Sequence, residues 1–331
     1  MTNDKTCSVG DMFIATVVDP DALSELDLDN QEVRSNIREL LRKLRAYGIA
    51  FPRNIEQIGR VVEALPPQMR TDVIETLKLI TAQNLDLAGN LDWDVMSPEL
   101  LVSQSKLEDS VVFLEQTRGE VWRPPSEEMC WRCGDVEFVP CNCLGASQVL
   151  DSVADRRECE IPQGARRDEI WDSHFDLIAR AYKRISVVDR YASKAFMEGR
   201  EGLRWFLEQL STTGRTYFTL YTMWLGEVHP DTLTARLRSV VDTLSGDLAD
   251  VRVHLVDKDR FGRVCHHRFI RFGDRACLQP DNGLELFNDQ ILSATMPLGV
   301  YPVRESLRIE NRLQDLSRKT IVVRDGSASI R

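Results

Sequence analysis

Cys130, Cys133, Cys141 and Cys143 crowd into one short stretch, Cys130-Trp131-Arg132-Cys133-Gly134 followed by Cys141-Asn142-Cys143. A CxxCG turn aims backbone amides at its thiolates, and the glycine permits the tight bend. Four thiolates make a closed tetrahedral site of the structural kind. The seven residues between the pairs suit a small hairpin that returns the second pair to the metal. The spacing therefore predicts structural Zn²⁺ on these four cysteines. The second pair is CxC where CxxC is commoner, which leaves Cys159 or His174 open as a replacement ligand. The chain has eight cysteines, and in a cytosolic protein clustered cysteines are more often metal ligands than disulfides.

A second constellation is His266-His267-Arg268-Phe269-Ile270-Arg271-Phe272. Read as a strand over 265–272, it puts His266 and Arg268 on one face, because side chains alternate. A histidine beside a cation suits phosphodiester chemistry. The imidazole attacks phosphorus or protonates the leaving group, and the cation holds the phosphate oxygens. A basic edge strand carrying a hydrogen-bonded histidine has the same pattern. Cations are dense nearby: Lys258, Arg260, Arg263, Arg268, Arg271 and Arg275, interrupted by Asp257, Asp259 and Asp274. Such a face suits nucleic-acid phosphates or anionic lipid headgroups.

Three segments carry a resemblance. Ile185-Ser186-Val187-Val188-Asp189-Arg190-Tyr191 reads as a strand ending in Asp-x-Tyr. Gly202-Leu203-x-x-Phe206-Leu207-x-x-Leu210 reads as an amphipathic helix. His266-x-Arg268-x-Ile270-Arg271-Phe272 leads into Asn282-Gly283-Leu284-Glu285-x-Phe287. In order and spacing these resemble the C-terminal, phospholipase D-like domain of MIT-domain-containing proteins, over about 170–325. The resemblance implies a phospholipase D-like fold. It also implies a place in bacterial conflict or phage-defence systems, with operon-encoded partners, as an antiviral nuclease-like hydrolase acting on DNA or other nucleic acid. Site residues on that reading are His266, Arg268 and Asp274 for catalysis. Arg260, Arg263, Arg271, Asp189, Arg190 and Tyr191 would hold phosphate. Phospholipase D enzymes carry His-x-Lys with an aspartate shortly beyond; here the cation is Arg268 and Asp274 follows. Only one such half-site is present, so an enzyme would be a homodimer. The family's eukaryotic members are binders of phosphoinositide or membrane. The alternative is thus a non-catalytic adaptor for nucleic acid, anionic lipid or a partner protein.

Near the N-terminus, a strand ending at Asp19 and followed by helices looks faintly like a PIN-type nuclease. Metal-dependent hydrolysis there would need Mg²⁺ held by clustered carboxylates. Glu39, Glu75, Asp92, Asp94 and Asp109 are the available partners of Asp19. Asp19-Pro20-Asp21 also reads simply as a turn and helix cap.

These residues need a scaffold. The chain has 331 residues, 43 % of them hydrophobic and 28 % charged, which is globular usage and excludes wholesale disorder. Residues 1–165 carry 29 acidic and 16 basic side chains, and residues 166–331 carry 23 and 26. The acidic half disfavours non-specific nucleic-acid binding, and the basic half suits a phosphate-bearing partner. No apolar run approaches the roughly 20 residues of a spanning helix. The polar start, MTNDKTCSVGD, has no signal-peptide h-region. Both predict a cytoplasmic protein.

Strands are predicted at 12–18, 110–115, 185–189, 216–222, 251–256, 265–272 and 320–323. Helices are predicted at 29–46, with Asp29 and Glu32 as a capping box, and at 54–64, 68–83, 199–210, 231–246 and 305–316. Strands alternating with helices give an α/β class. The predicted organisation is two α/β domains: a helix-rich acidic domain over 1–120 and a phospholipase D-like domain over 168–331. A Cys-rich zinc connector over 121–167 joins them. No Walker loop, GxGxxG, HExxH or GxSxG occurs, which argues against P-loop hydrolysis and a serine-hydrolase mechanism.

Overall fold

A computed structural model describes residues 13–19, 21–22, 26–51, 62–63, 65–82, 97–105, 110–126, 129–143, 147–154, 158–226, 229–244, 246, 248–324 and 327–331. The protein is mixed α/β with two sheets. It divides into two compact units, Asp11–Arg156 and Arg157–Arg331. No helix among the described residues is long and apolar enough to cross a membrane.

The first unit contains β1 (Ile14–Val18), α1 (Gln31–Tyr47), β2 (Gly48–Phe51), α2 (Pro67–Ile80), α3 (Pro98–Ser105), β3 (Ser110–Leu114), α4 (Gln116–Trp122), β4 (Trp131–Cys133), β5 (Val136–Pro140) and α5 (Gln148–Ala154). Among the described residues the sheet order is β2-β1-β3-β5-β4. The first four strands are parallel and β4 is an antiparallel edge. Parallel strands are buried on both faces and read as continuous apolar runs. IATVV of β1 and SVVFL of β3 have that character. Helix α1 buries Ile37, Leu40, Leu41 and Leu44. They pack with Val73 and Leu77 of α2, Leu150 and Val153 of α5, and Ile14, Val111 and Phe113 of the sheet. The cap of α1 is Asn30, not Asp29: its side chain accepts the Glu32 N–H at 2.8 Å. The predicted helix at 54–64 lies largely outside the described residues.

The expected connector over 121–167 is not a separate element. Strands β4 and β5 and helix α5 complete the first sheet and its core, and the next strand belongs to the second sheet. A charged residue disguised β5. Glu137 is 2 % exposed, yet its carboxylate accepts the Ser147 hydroxyl at 2.6 Å and the N–H groups of Gln148 at 2.9 Å and Val149 at 3.3 Å. It caps the start of α5 from within a strand, so burying it leaves no unpaired acceptor.

The second unit contains β6 (Glu158–Ile161), α6 (Arg167–Trp171), a π turn (Asp172–Asp176), α7 (Leu177–Ala181), β7 (Arg184–Val188), α8 (Ala192–Met197), α9 (Gly202–Thr212), β8 (Thr216–Trp224), α10 (Pro230–Thr243) and β9 (Leu248–Asp257). It continues with α11 (Lys258–Val264), β10 (Phe269–Phe272), β11 (Ala276–Pro280), a 3₁₀ turn (Gly283–Phe287), β12 (Met296–Val300), α12 (Val303–Asp315), β13 (Ser317–Arg324) and β14 (Ser327–Ile330). The order is β14-β13-β9-β8-β7-β10-β11-β12-β6. Strands β7, β8 and β9 form a parallel centre flanked by antiparallel neighbours. One aromatic cluster joins Trp171, Phe175, Trp205, Phe206 and Phe287. Another packs Val188, Tyr221, Phe261, Phe269, Ile309 and Leu313.

His254 of β9 belongs to this interior. It is 7 % exposed, its ring stacks on Tyr221 at 4.9 Å, and Nδ1 lies 3.0 Å from the Thr320 hydroxyl. Burial first, then the neighbouring Arg252 charge, lowers its pKa to about 4. Between that value and the usual one near 6.5 the unfolded chain takes up a proton that the folded chain refuses, so stability rises with pH and is lost on acidification. Denaturant titrations should therefore show the wild type losing about 2 kcal/mol more than His254→Phe between pH 7 and pH 4.5. Equal losses in the two proteins would show that His254 does not titrate in this way.

Candidate functional site

The strongest convergence of polar groups lies at the carboxyl end of β7. Asp189 follows this strand and is 1 % exposed. Its carboxylate accepts the Tyr191 N–H at 3.0 Å, a local Asx turn, and the Leu284 N–H at 2.9 Å, a contact 95 residues away in sequence. Burial pushes its pKa up, while these N–H groups and the Arg268 charge pull it down. Gly283 makes the approach possible. Its φ is +60°, and a Cβ there would lie 2.3 Å from Asp189 Oδ2 and 2.9 Å from Arg268 Cδ. Gly202 opens α9 against the same turn: its N–H reaches Asn288 Oδ1 at 2.9 Å, and a Cβ would meet the Leu284 carbonyl at 2.3 Å. Asp189, the first turn of α9, Arg268 and the 282–288 turn thus meet in one place.

Two guanidinium groups surround Tyr191. That of Arg268 lies 5.3 Å from the ring centroid and that of Arg190 lies 5.7 Å from it. Arg190 Nη2 donates to the His266 carbonyl at 2.6 Å. The carboxylate found beside Arg268 is that of Glu285, at 3.8 Å, too far for a hydrogen bond. Arg268 Nη1 and Arg190 Nε are buried without a hydrogen-bond partner among the described residues. Beside Tyr191 and Glu285 opens a cleft of about 440 Å³ that also takes in Lys194, Arg200, Asn282 and Asn288. Lys194, Arg200, Asn288 and the conformational role of Gly283 escaped the sequence reading. The Asn282-Gly283 turn signal was the available clue to the last.

The expected His266–Arg268 pair on a strand is corrected here. Strand β10 begins at Phe269, and 265–268 runs to it without ladder pairing. No shared strand face fixes His266 against Arg268, and the His266 side chain is exposed. Asp274 lies in the turn after β10, at the opposite end of that strand from Arg268. It is 85 % exposed and lies 3.5 Å from Arg271. The predicted phosphate set also separates. Arg271 is a half-buried partner of the buried Glu310, bonded through two nitrogens at 2.6 Å. Arg260 sits on α11 with Asp257 at 3.8 Å, and Arg263 is exposed on the same helix. Arg275 is buried. The cations that are dense in sequence do not form one basic face.

Of the N-terminal carboxylates, the three that are described, Asp19, Glu39 and Glu75, do not form one cluster. Asp19 is fully buried at the end of β1. It accepts the N–H of Asp21 at 3.0 Å and of Glu115 at 3.2 Å, and Arg118 lies 2.9 Å away. Burial pushes its pKa up, against these N–H groups and the Arg118 charge. Arg118 supplies the positive charge that the predicted Mg²⁺ would bring. Glu39 is half-buried on α1 and paired with Arg42 at 2.6 Å, and Glu75 is exposed on α2. Asp92, Asp94 and Asp109 lie outside the described residues.

Among the described residues the four cysteines are not gathered into one metal-binding group. Cys133 ends β4 beside the hairpin turn, opposite Val136, whereas Cys130 precedes the strand at its other end. An extended strand carries residues three apart to roughly 10 Å and to opposite faces. Thiolates on one zinc stand about 4 Å apart. Their surroundings differ accordingly: the Cys133 thiol feels Glu99, whereas Cys130 feels Cys143 and Glu137. Burial pushes the Cys130 thiol up to about 12. Cys159 and His174 belong to the second unit. Among the described residues no group of three or more His, Cys, Asp or Glu side chains is placed to hold a metal ion.

No protein-family model matches this chain, and no curated protein matches it either. Gly283→Ala tests the Asp189 assembly directly. The substitution should cost roughly 2–3 kcal/mol in urea unfolding. Gly226→Ala, where a Cβ meets nothing within 4 Å, should stay within about 0.5 kcal/mol of wild type. Equal stability of the two variants would show that the close approach is not needed.

Proposed function

We propose that the second unit recognises the phosphates of nucleic acid without cleaving them. One observation carries this reading: the guanidinium groups of Arg190 and Arg268 converge on Tyr191, and neither is hydrogen-bonded to a carboxylate among the described residues. Guanidinium groups with donors not taken up by a carboxylate, beside an aromatic ring, suit a phosphate oxygen with a base or sugar lying against the ring. The adjoining cleft is of mixed charge, with Lys194 and Arg200 beside Glu198, Glu285 and Asp289.

Binding is favoured over hydrolysis by what surrounds His266. A nucleophilic or general-acid histidine needs a partner that fixes its tautomer and orientation. The His266 ring is exposed, and Asp274, the predicted third member, sits at the far end of β10. On this proposal the resemblance to phospholipase D-like domains concerns architecture and phosphate recognition. The defence setting that it implies makes invading nucleic acid the ligand.

Fluorescence anisotropy of the full chain with single-stranded DNA, duplex DNA and RNA across a salt series tests the proposal. Affinity should fall with salt. Arg190→Ala and Arg268→Ala should each weaken binding several-fold and reduce the salt slope by about one. His266→Ala should bind as the wild type does. Three results would refute the proposal: no nucleic acid bound, association only with phosphatidylserine vesicles, or strand cleavage that disappears in His266→Ala.

A further inference from the structure

The central strands of the second sheet are parallel, and parallel strands are normally covered on both faces. Among the described residues, one end of one face here opens into a cavity. The rung Val188–Tyr221–His254 crosses β7, β8 and β9 in register. The apolar residues packed around it include Ile309 and Leu313 of α12 and Phe261 of α11. Toward the amino ends of the same strands the rungs turn polar. Arg271, Ser186, Thr219 and Arg252 stand opposite one another across β10, β7, β8 and β9. Arg184, Tyr217 and Asp250 form the next rung. A cavity of about 450 Å³ opens over these two rungs, walled by Glu310 of α12.

Its two carboxylates differ in a way that points to a ligand. Glu310 is saturated: Oε1 accepts the Ser186 hydroxyl at 2.7 Å and Arg271 Nε at 2.6 Å, and Oε2 accepts Arg271 Nη2 at 2.6 Å. Asp250 is only half used. It is 4 % exposed, and its Oδ2 takes Arg252 at 2.8 Å and Arg324 at 2.7 Å. Its Oδ1 is buried with no partner among the described residues. A buried carboxylate oxygen without a donor is costly and needs an explanation. The cavity walls also carry Arg184, which has no carboxylate partner among the described residues, and the hydroxyls of Thr219 and Tyr217. A fitting molecule brings a hydroxyl to Asp250 Oδ1 and an anionic group to Arg184 and Arg252. It also presents a face to Tyr217. The volume lies within the range of small-molecule sites.

We propose that this cavity binds a small hydroxylated organic phosphate, a sugar phosphate or a mononucleotide, through Asp250, Thr219, Arg184 and Arg252. The site is separate from the Tyr191 cluster and does not depend on the function proposed above.

Isothermal titration of the full chain with ribose 5-phosphate, adenosine monophosphate and inorganic phosphate tests it. At least one of the two organic phosphates should bind at least tenfold more tightly than inorganic phosphate. Tighter binding of the nucleotide identifies the base as part of the ligand, and equal binding identifies the sugar phosphate as sufficient. Asp250→Asn should weaken binding tenfold or more. Thr219→Val, which keeps the shape and removes one hydroxyl, should weaken it several-fold should Asp250→Asn fail to fold. Arg268→Ala should leave this binding unchanged. The proposal is overturned by no heat of binding for either organic phosphate at millimolar concentration. It is also overturned by affinity indifferent to Thr219→Val, or by affinity lost in Arg268→Ala.

Discussion

A single buried carboxylate ties the second unit's landmarks together. Asp189 leaves the end of β7 and is shielded from water, so the free energy of its burial must be recovered from donors fixed in place. Those donors come from its own turn, at Tyr191, and from a segment far along the chain, at Leu284. Both backbones are thereby held around it. A glycine at 283 is required twice over, because its φ is positive and because any side chain there would collide with the carboxylate. Gly202 is constrained by the same turn from the other side, so the start of α9 is set by the position of the 3₁₀ segment. The placement of Arg268 and Arg190 around Tyr191 is the outer consequence of an inner electrostatic requirement.

The first unit solves the same problem with the same parts. Asp19 also follows a central parallel strand and also accepts the N–H two residues on. It too accepts an N–H from a distant segment, Glu115 beyond the neighbouring strand, and faces an arginine. In an open parallel sheet the carboxyl ends of the strands are where ligands usually bind. From sequence Asp19 therefore reads as a metal carboxylate and Asp189 as part of a phosphate site. In the fold each accepts backbone N–H groups from its own turn and from a distant segment. No period or spacing distinguishes the two roles, because the deciding partners lie 95 or 96 residues away.

What could be read from the residues was what local pattern controls. The continuous β-branched runs of β1, β3 and β7 and the i, i+3, i+4, i+7 stripe of α9 announced themselves. The segments Asp189–Tyr191, Gly202–Leu210, Arg268 and Asn282–Phe287 were grouped by motif, and the fold brings all four to one place. Legibility failed where tertiary contacts overrode local signals. The strand β5 was not legible within 121–167, because the partners that make Glu137 tolerable inside it, at 147–149, lie beyond the hairpin. The cysteine pairs looked like a metal knuckle because CxxC is local, whereas the ladder that pulls Cys130 and Cys133 to opposite ends of β4 depends on pairing with β5. His266 and Arg268 looked like strand neighbours because nothing in their spacing shows that pairing with β7 begins only at Phe269.

The two arginines beside the two aspartates also show where charge remains for a ligand. Arg118 forms an ion pair with Asp19 at 2.9 Å. That contact leaves little unbalanced field at the end of β1. Asp189 has its acceptor capacity taken by backbone N–H groups, so Arg268 interacts with it only through space and sits against Tyr191 instead. The same contrast appears on the sheet face, where Glu310 is matched by Arg271 and Ser186 while Asp250 keeps one oxygen without a donor. Polar groups that complete their partners inside the fold act as structure. Those left with one acceptor unfilled at a cavity, or with donors unused beside an aromatic ring, are where this chain has interaction energy to offer another molecule.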